Sequence, residues 1–176
     1  SICGCFTSPS RQASCNYGIG KDGQISLCVE EKNRSWCSSS AANDQRAITI
    51  ECASDMSEPY AMNTAVYESL VKLCTDVCKR NGKKKLLWLG DKNTTLNYKL
   101  KTDEMVLTVH HWFANKSCPG NWLYARLGDL AARVTANLGG SQQTTPSAPT
   151  TSKVPYKVRV KISDLNIRKG PGTNYA

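Results

Sequence analysis

No uninterrupted apolar run in this chain approaches the roughly 20 residues needed to cross a bilayer, so no membrane insertion is expected. The opening Ser1-Ile2-Cys3-Gly4-Cys5 has neither an initiator Met nor a charged segment followed by an apolar stretch, and no signal peptide is visible in it. No Gly-rich phosphate loop occurs. Histidine is scarce: His110 and His111 are the only two, which confines imidazole chemistry to one place. Acidic residues are also short, 14 against 23 Lys and Arg, and the net charge of +9 favours an anionic partner such as nucleic acid, lipid headgroups or a polyanionic cell wall. Cysteine is plentiful by contrast. The nine thiols do not have the spacing of a compact disulfide framework, and their odd number leaves at least one unpaired. At 176 residues, 40% apolar and 21% charged, the chain has room for one ordinary domain, or a compact domain with a small appended module.

The clearest boundary is a composition break. Residues 139–152, Gly-Gly-Ser-Gln-Gln-Thr-Thr-Pro-Ser-Ala-Pro-Thr-Thr-Ser, hold no large apolar side chain and no charge, and so cannot bury enough surface to offset their ordering entropy. They mark a flexible linker over 139–153. Beyond it Tyr156, Val158, Val160 and Ile162 alternate with Lys157, Arg159 and Lys161, the period of a half-buried strand, and a second short strand meets the turn Lys169-Gly170-Pro171-Gly172. Residues 153–176 carry six Lys and Arg against one Asp, making this tail the more basic part. Upstream of the break, 24–29 and 47–52 read as strands, and 86–89 and 105–110 are apolar runs of strand length. Two amphipathic helices stand out. Residues 64–80 place Val66, Leu70, Leu73, Cys74, Val77 and Cys78 on one face, with Asn63 as N-cap and Gly82 past the end. Residues 122–138 align Leu123, Leu127, Leu130, Ala131, Val134 and Leu138. Interleaved strands and helices predict an α/β domain over 1–138, with a mixed central sheet that unites 47–52, 86–89 and 105–110 and is flanked by the helices. The linker and an incomplete all-β module over 154–176 then follow.

The most informative segment is Val109-His110-His111-Trp112-Phe113-Ala114-Asn115-Lys116-Ser117-Cys118-Pro119-Gly120. It sets a His at the end of a strand and, eight residues on, a Cys in a Pro-Gly turn before a helix. Imidazole and thiolate are favoured zinc donors, and a catalytic zinc needs three protein ligands plus a water. The same spacing also fits an exposed His pair and a structural thiol. Glu51 lies in the apolar run 47–52, where a lone carboxylate is costly without a task or a partner. Cys74 and Cys78 share a helix face and read as core, as do Cys15, Cys28 and Cys52 in their strands; Cys3 and Cys5 have no matching pair downstream. The run Lys83-Lys84-Lys85 follows a helix C-terminus and reads as a solvated face rather than a nucleic-acid patch, so no nucleic-acid partner is expected.

The run HHWFANKSCPG, with RQASCNYGIGKDGQISLCVEEKNRSWCSSS and AITIECASD, resembles the zinc-dependent N-acetylmuramoyl-L-alanine amidases of phage endolysins and Gram-positive autolysins, relatives of the peptidoglycan recognition proteins. Residues 154–176, through LNIRKGPG, resemble the start of a bacterial Src-homology-3-like wall-binding domain. The first resemblance implies bacterial peptidoglycan as partner, action at the cell wall, zinc as cofactor, His110 and Cys118 as metal ligands, Glu51 as the base for the attacking water and Lys116 as the oxyanion stabiliser. His111, one residue out of register, is expected to face away. Two departures follow from the same comparison. The family's first zinc-binding His lies on a strand that this chain does not offer, which implies a fragment truncated at both ends of a longer endolysin-like chain and short of one ligand. Where many relatives have Trp-His-Ala-Gly, this chain has Trp36-Cys37-Ser38-Ser39, which puts Cys37 near the cleft or leaves it a buried thiol. The rival expectation is an amidase homologue that binds peptidoglycan without cleaving it.

Overall fold

A computed structural model describes residues 2–6 and 8–139. Apart from Gly139, the linker expected over 139–153 and the all-β module expected over 154–176 lie outside the described residues. Strand β1 (Tyr17–Ile19) pairs antiparallel with β2 (Ile25–Leu27) and parallel with β3 (Ile50–Cys52), giving the order β2-β1-β3. A short helix α1 (Ala41–Asp44) precedes β3, and the long helix α2 (Thr64–Arg80) follows it. Strands β4 (Lys85–Leu87) and β5 (Glu104–Val106) form a separate parallel pair, with α3 (Lys92–Asn97) between them in sequence. After a 3₁₀ turn at His110–Trp112 come α4 (Asn121–Tyr124) and α5 (Leu127–Asn137). The architecture is mixed α/β.

The expected single sheet is corrected to two. Segment 47–52 contributes β3 to one sheet, while 86–89 and 105–110 contribute β4 and β5 to the other, and among the described residues no ladder joins them. Thr135 of α5 accepts from the Leu86 N–H at 3.1 Å and donates to the Leu86 carbonyl at 3.2 Å, so a helix closes the edge of β4. Beyond β5, the Thr108 hydroxyl donates to the Asn43 side chain of α1 at 3.0 Å.

The stripe on α2 is buried as its spacing predicts: Val66, Leu70, Leu73, Cys74, Val77 and Cys78 join one core with Ile19, Leu86, Leu127, Leu130 and Val134. Each such apolar side chain contributes about 1.5–3 kcal/mol on burial. Asn63 caps α2 by accepting from the Val66 N–H at 3.0 Å. Gly23, at φ +79, turns the chain from β1 to β2 against α2. A Cβ there would stand 2.9 Å from both the Ala65 carbonyl and the Ser69 hydroxyl, so no other residue fits. The second helix is broken where 122–138 predicts a continuous one. Arg126 departs from ideal helical geometry (φ −108, ψ 0), and the Tyr67 hydroxyl, which donates to Asp129 at 2.8 Å, lies 3.2 Å from the Arg126 carbonyl. The apolar spacing continues across the break, so periodicity could not reveal it. Cys28, expected in the core, is instead disulfide-bonded.

A polar clasp ties the sheet to the end of α2. Arg80 holds Glu31 through two guanidinium nitrogens at 3.0 and 2.8 Å and Asp76 through a third at 2.7 Å, while the Tyr17 hydroxyl donates to Glu31 at 2.7 Å. Arg80 holds the Glu31 carboxyl below the usual range. The folded state therefore binds this proton less readily than the unfolded chain. The clasp's stability is present above the unfolded pKa and lost as pH falls through the lowered folded one. Glu31→Gln is expected to cost about 1 kcal/mol at neutral pH and to flatten the acid limb of stability, measured by urea titration across pH.

Candidate active site

A cleft of about 810 Å³ brings the four sequence-selected residues together: Glu51, His110, Lys116 and Cys118 all line it. Glu51 sits in the middle of β3, paired across the ladder with Gly18, which puts no side chain beside the carboxylate. Burial pushes its carboxyl above the ordinary range; the Cys37 hydrogen bond and the charges of His110 and Arg11 act in the other direction. The Cys37 thiol donates to Glu51 Oε1 at 3.5 Å. Desolvation, with the Glu51 charge, raises that thiol well above its usual value, so Cys37 is a neutral donor to the carboxylate at physiological pH.

His110 does not end a strand. Backbone pairing stops at Val106, the chain stays extended through Val109 (φ −133, ψ 149), and His110 opens the 3₁₀ turn. The turn, not strand alternation, separates the two histidines. His110 faces the cleft, with Nε2 3.1 Å from the Ser39 hydroxyl. His111 packs on Tyr124, ring centroids 4.9 Å apart, and its N–H donates to the Cys118 carbonyl at 3.0 Å, which pins the loop that carries the thiol. Cys118 is solvent-accessible on one side. The protein around it and the Glu51 charge raise its thiol to about 12. Gly120, at φ +81, completes the wall: a Cβ there would stand 2.7 Å from Tyr60 Cβ, so Gly120 lets the two segments meet.

Several lining residues escaped the sequence reading. Asp44, buried on α1, accepts from the backbone N–H groups of Cys37 (3.1 Å) and Ser38 (3.1 Å) and from the Ser38 hydroxyl (2.6 Å), fixing the loop that presents Cys37 and Ser39. Beneath that loop Asn16, Thr49 and Ser35 form a buried hydrogen-bonded set, with Asn16 Nδ2 holding the Val29 carbonyl at 3.1 Å and Ser35 Oγ 2.6 Å from Thr49 Oγ1. Trp36, more than half exposed, lines the rim with Arg34 stacked on its ring at 5.3 Å. Ser40 caps α1, a helix the sequence did not disclose, and the part of this loop in the cleft was not legible because it depends on contacts with residues 110 and beyond.

His110 and Cys118 have the donor chemistry that zinc favours, but a catalytic zinc uses three protein ligands. Among the described residues no group of three or more His, Cys, Asp or Glu side chains stands close enough to hold a metal ion. The described residues therefore do not by themselves fit a catalytic zinc.

No helix among the described residues is long and apolar enough to cross a membrane. No curated protein and no solved structure matches the chain. The family model described as N-acetylmuramoyl-L-alanine amidase matches residues 3–121, more than half of the chain and the whole of the cleft apart from Leu123. Its members act on peptidoglycan and commonly bind zinc, and this chain belongs to that family.

Proposed function

We propose that the protein hydrolyses the amide between the lactyl group of N-acetylmuramic acid and the L-alanine of the peptidoglycan stem peptide. The observation that carries this reading is the half-buried carboxyl of Glu51, raised in pKa, in a cleft that also holds Lys116, His110 and Cys118. An amide needs an attacking water, a base to take its proton, an acid to protonate the departing amine and positive charge for the tetrahedral oxyanion. Glu51 serves as base and then as acid, because a raised pKa lets a carboxyl hold the proton between the two steps. Lys116 supplies the charge for the oxyanion. Cys37 holds the Glu51 carboxylate in place. Action is at the bacterial cell wall, where the basic tail at 153–176 and its Src-homology-3-like pattern would add attraction to an anionic surface.

Incubation with purified peptidoglycan is expected to release stem peptides with new N-terminal L-alanine and no new reducing sugar ends. New reducing ends without new N-terminal L-alanine would show a glycosidase and defeat the proposal. A second reading, a wall-binding homologue without hydrolysis, is favoured by the absence of a three-donor set among the described residues. Sedimentation of the protein with walls, without product, would select it.

A further inference from the structure

Ser39 occupies a left-handed backbone conformation, φ +62, that glycine adopts freely and serine does not. The loop around it is over-determined. Asp44 takes the N–H groups on its N-terminal side, and Ser40, on its other side, accepts from the Asn43 N–H at 3.3 Å to start α1. A glycine would satisfy this backbone with less strain, so the serine hydroxyl is the feature to explain. It is exposed in the cleft, and its contact across the cleft is with His110 Nε2 at 3.1 Å, a link spanning 71 residues of sequence.

We propose that Ser39 is the positioning residue for His110: its hydroxyl oxygen accepts from Nε2–H, selects that tautomer and leaves Nδ1 as the nitrogen with the free lone pair. A hydroxyl in an open cleft accepts from the ring and still donates to water, whereas the opposite arrangement would tie up the ring's lone pair. An imidazole can serve as acceptor, base or ligand only through its unprotonated nitrogen, so fixing the tautomer fixes which atom His110 offers the cleft. The effect on turnover rests on the amidase reading; the tautomer does not.

Nitrogen-15 spectra of the protein labelled at histidine, recorded where both rings are neutral and assigned with His111→Gln, test the tautomer directly. The native protein is expected to show Nε2–H for His110. Ser39→Gly is expected to lose that bias, to hold or raise the thermal midpoint, and to lower kcat about tenfold with KM little changed. Ser39→Asn tolerates the left-handed backbone and can accept from Nε2–H, so it should restore both tautomer and kcat. A native Nδ1–H tautomer, or a Ser39→Gly spectrum identical to the native one, would overturn the assignment. A native Nε2–H tautomer in a protein that releases no stem peptide with N-terminal L-alanine would support the assignment and count against the amidase reading alone.

Discussion

Glu51→Gln is expected to lower kcat by about 10²–10⁴-fold without loosening the fold, the range that a positioned general base supplies. The substitution keeps the side chain's shape and removes only its ability to take a proton. Stability should move the other way from activity. Burial raises the Glu51 carboxyl above its ordinary range, so the folded state holds this proton more firmly than the unfolded chain. Stability then falls as pH rises from the unfolded pKa through the raised folded one, and above that window the full penalty of a buried carboxylate is present. The amide carries no such penalty. At neutral pH Glu51→Gln should therefore melt at or above the native midpoint while releasing almost no stem peptide. The Cys37 thiol, 3.5 Å from Oε1, can meet the amide oxygen as it meets the carboxylate. A variant that hydrolysed walls within a factor of about three of the native rate would leave Glu51 without a catalytic role, since the loss of a general base costs far more.

The elements that the sequence disclosed are those whose signals are local. Helix α2 runs over the 64–80 span that its apolar spacing predicts, with Asn63 at its cap, because a 3.6-residue period and a side-chain cap are both written within a few residues. The division into two sheets was not legible. Each strand is three residues long, too short for its pattern to name a neighbour, and the contacts that flank β4 and β5, Thr135 with Leu86 and Asn43 with Thr108, span 49 and 65 residues. The break at Arg126 hid because the apolar spacing runs on across it; the Tyr67 hydroxyl that lies against the Arg126 carbonyl comes from a different helix, 59 residues away. For the cleft, Glu51 was visible as a carboxylate inside an apolar run and His110 and Cys118 as donor types at short spacing. Ser39 and Asp44 gave no such signal, because a serine and an aspartate in a small polar loop have an ordinary local use. Only the fold sets one against His110 and buries the other beneath Cys37.

Zinc affinity separates what His110 and Cys118 supply from what a catalytic site needs. Competition titration of the 176-residue chain is expected to give a dissociation constant of about micromolar or weaker, roughly −8 kcal/mol, below the 10–16 kcal/mol of fully ligated structural sites. Two protein donors leave the remaining positions to water, and the Cys118 thiol, raised to about 12, must give up its proton on binding, which costs affinity at neutral pH. His110→Ala and Cys118→Ala should each weaken binding at least about tenfold, since even the loss of an outer hydrogen-bond partner costs that much. Cys37→Ala should leave it unchanged, because that thiol is committed to Glu51. If Cys37→Ala cost as much as Cys118→Ala, Cys37 would be a third donor, Glu51 would lose its holder on loading, and the wall-binding reading would lose the observation that favours it. A chain joined upstream to a strand that carries one more His is the complementary arm. Tighter zinc and faster stem-peptide release together would place a third ligand on that strand, and tighter zinc without faster release would leave the rate with Glu51 and Lys116 alone.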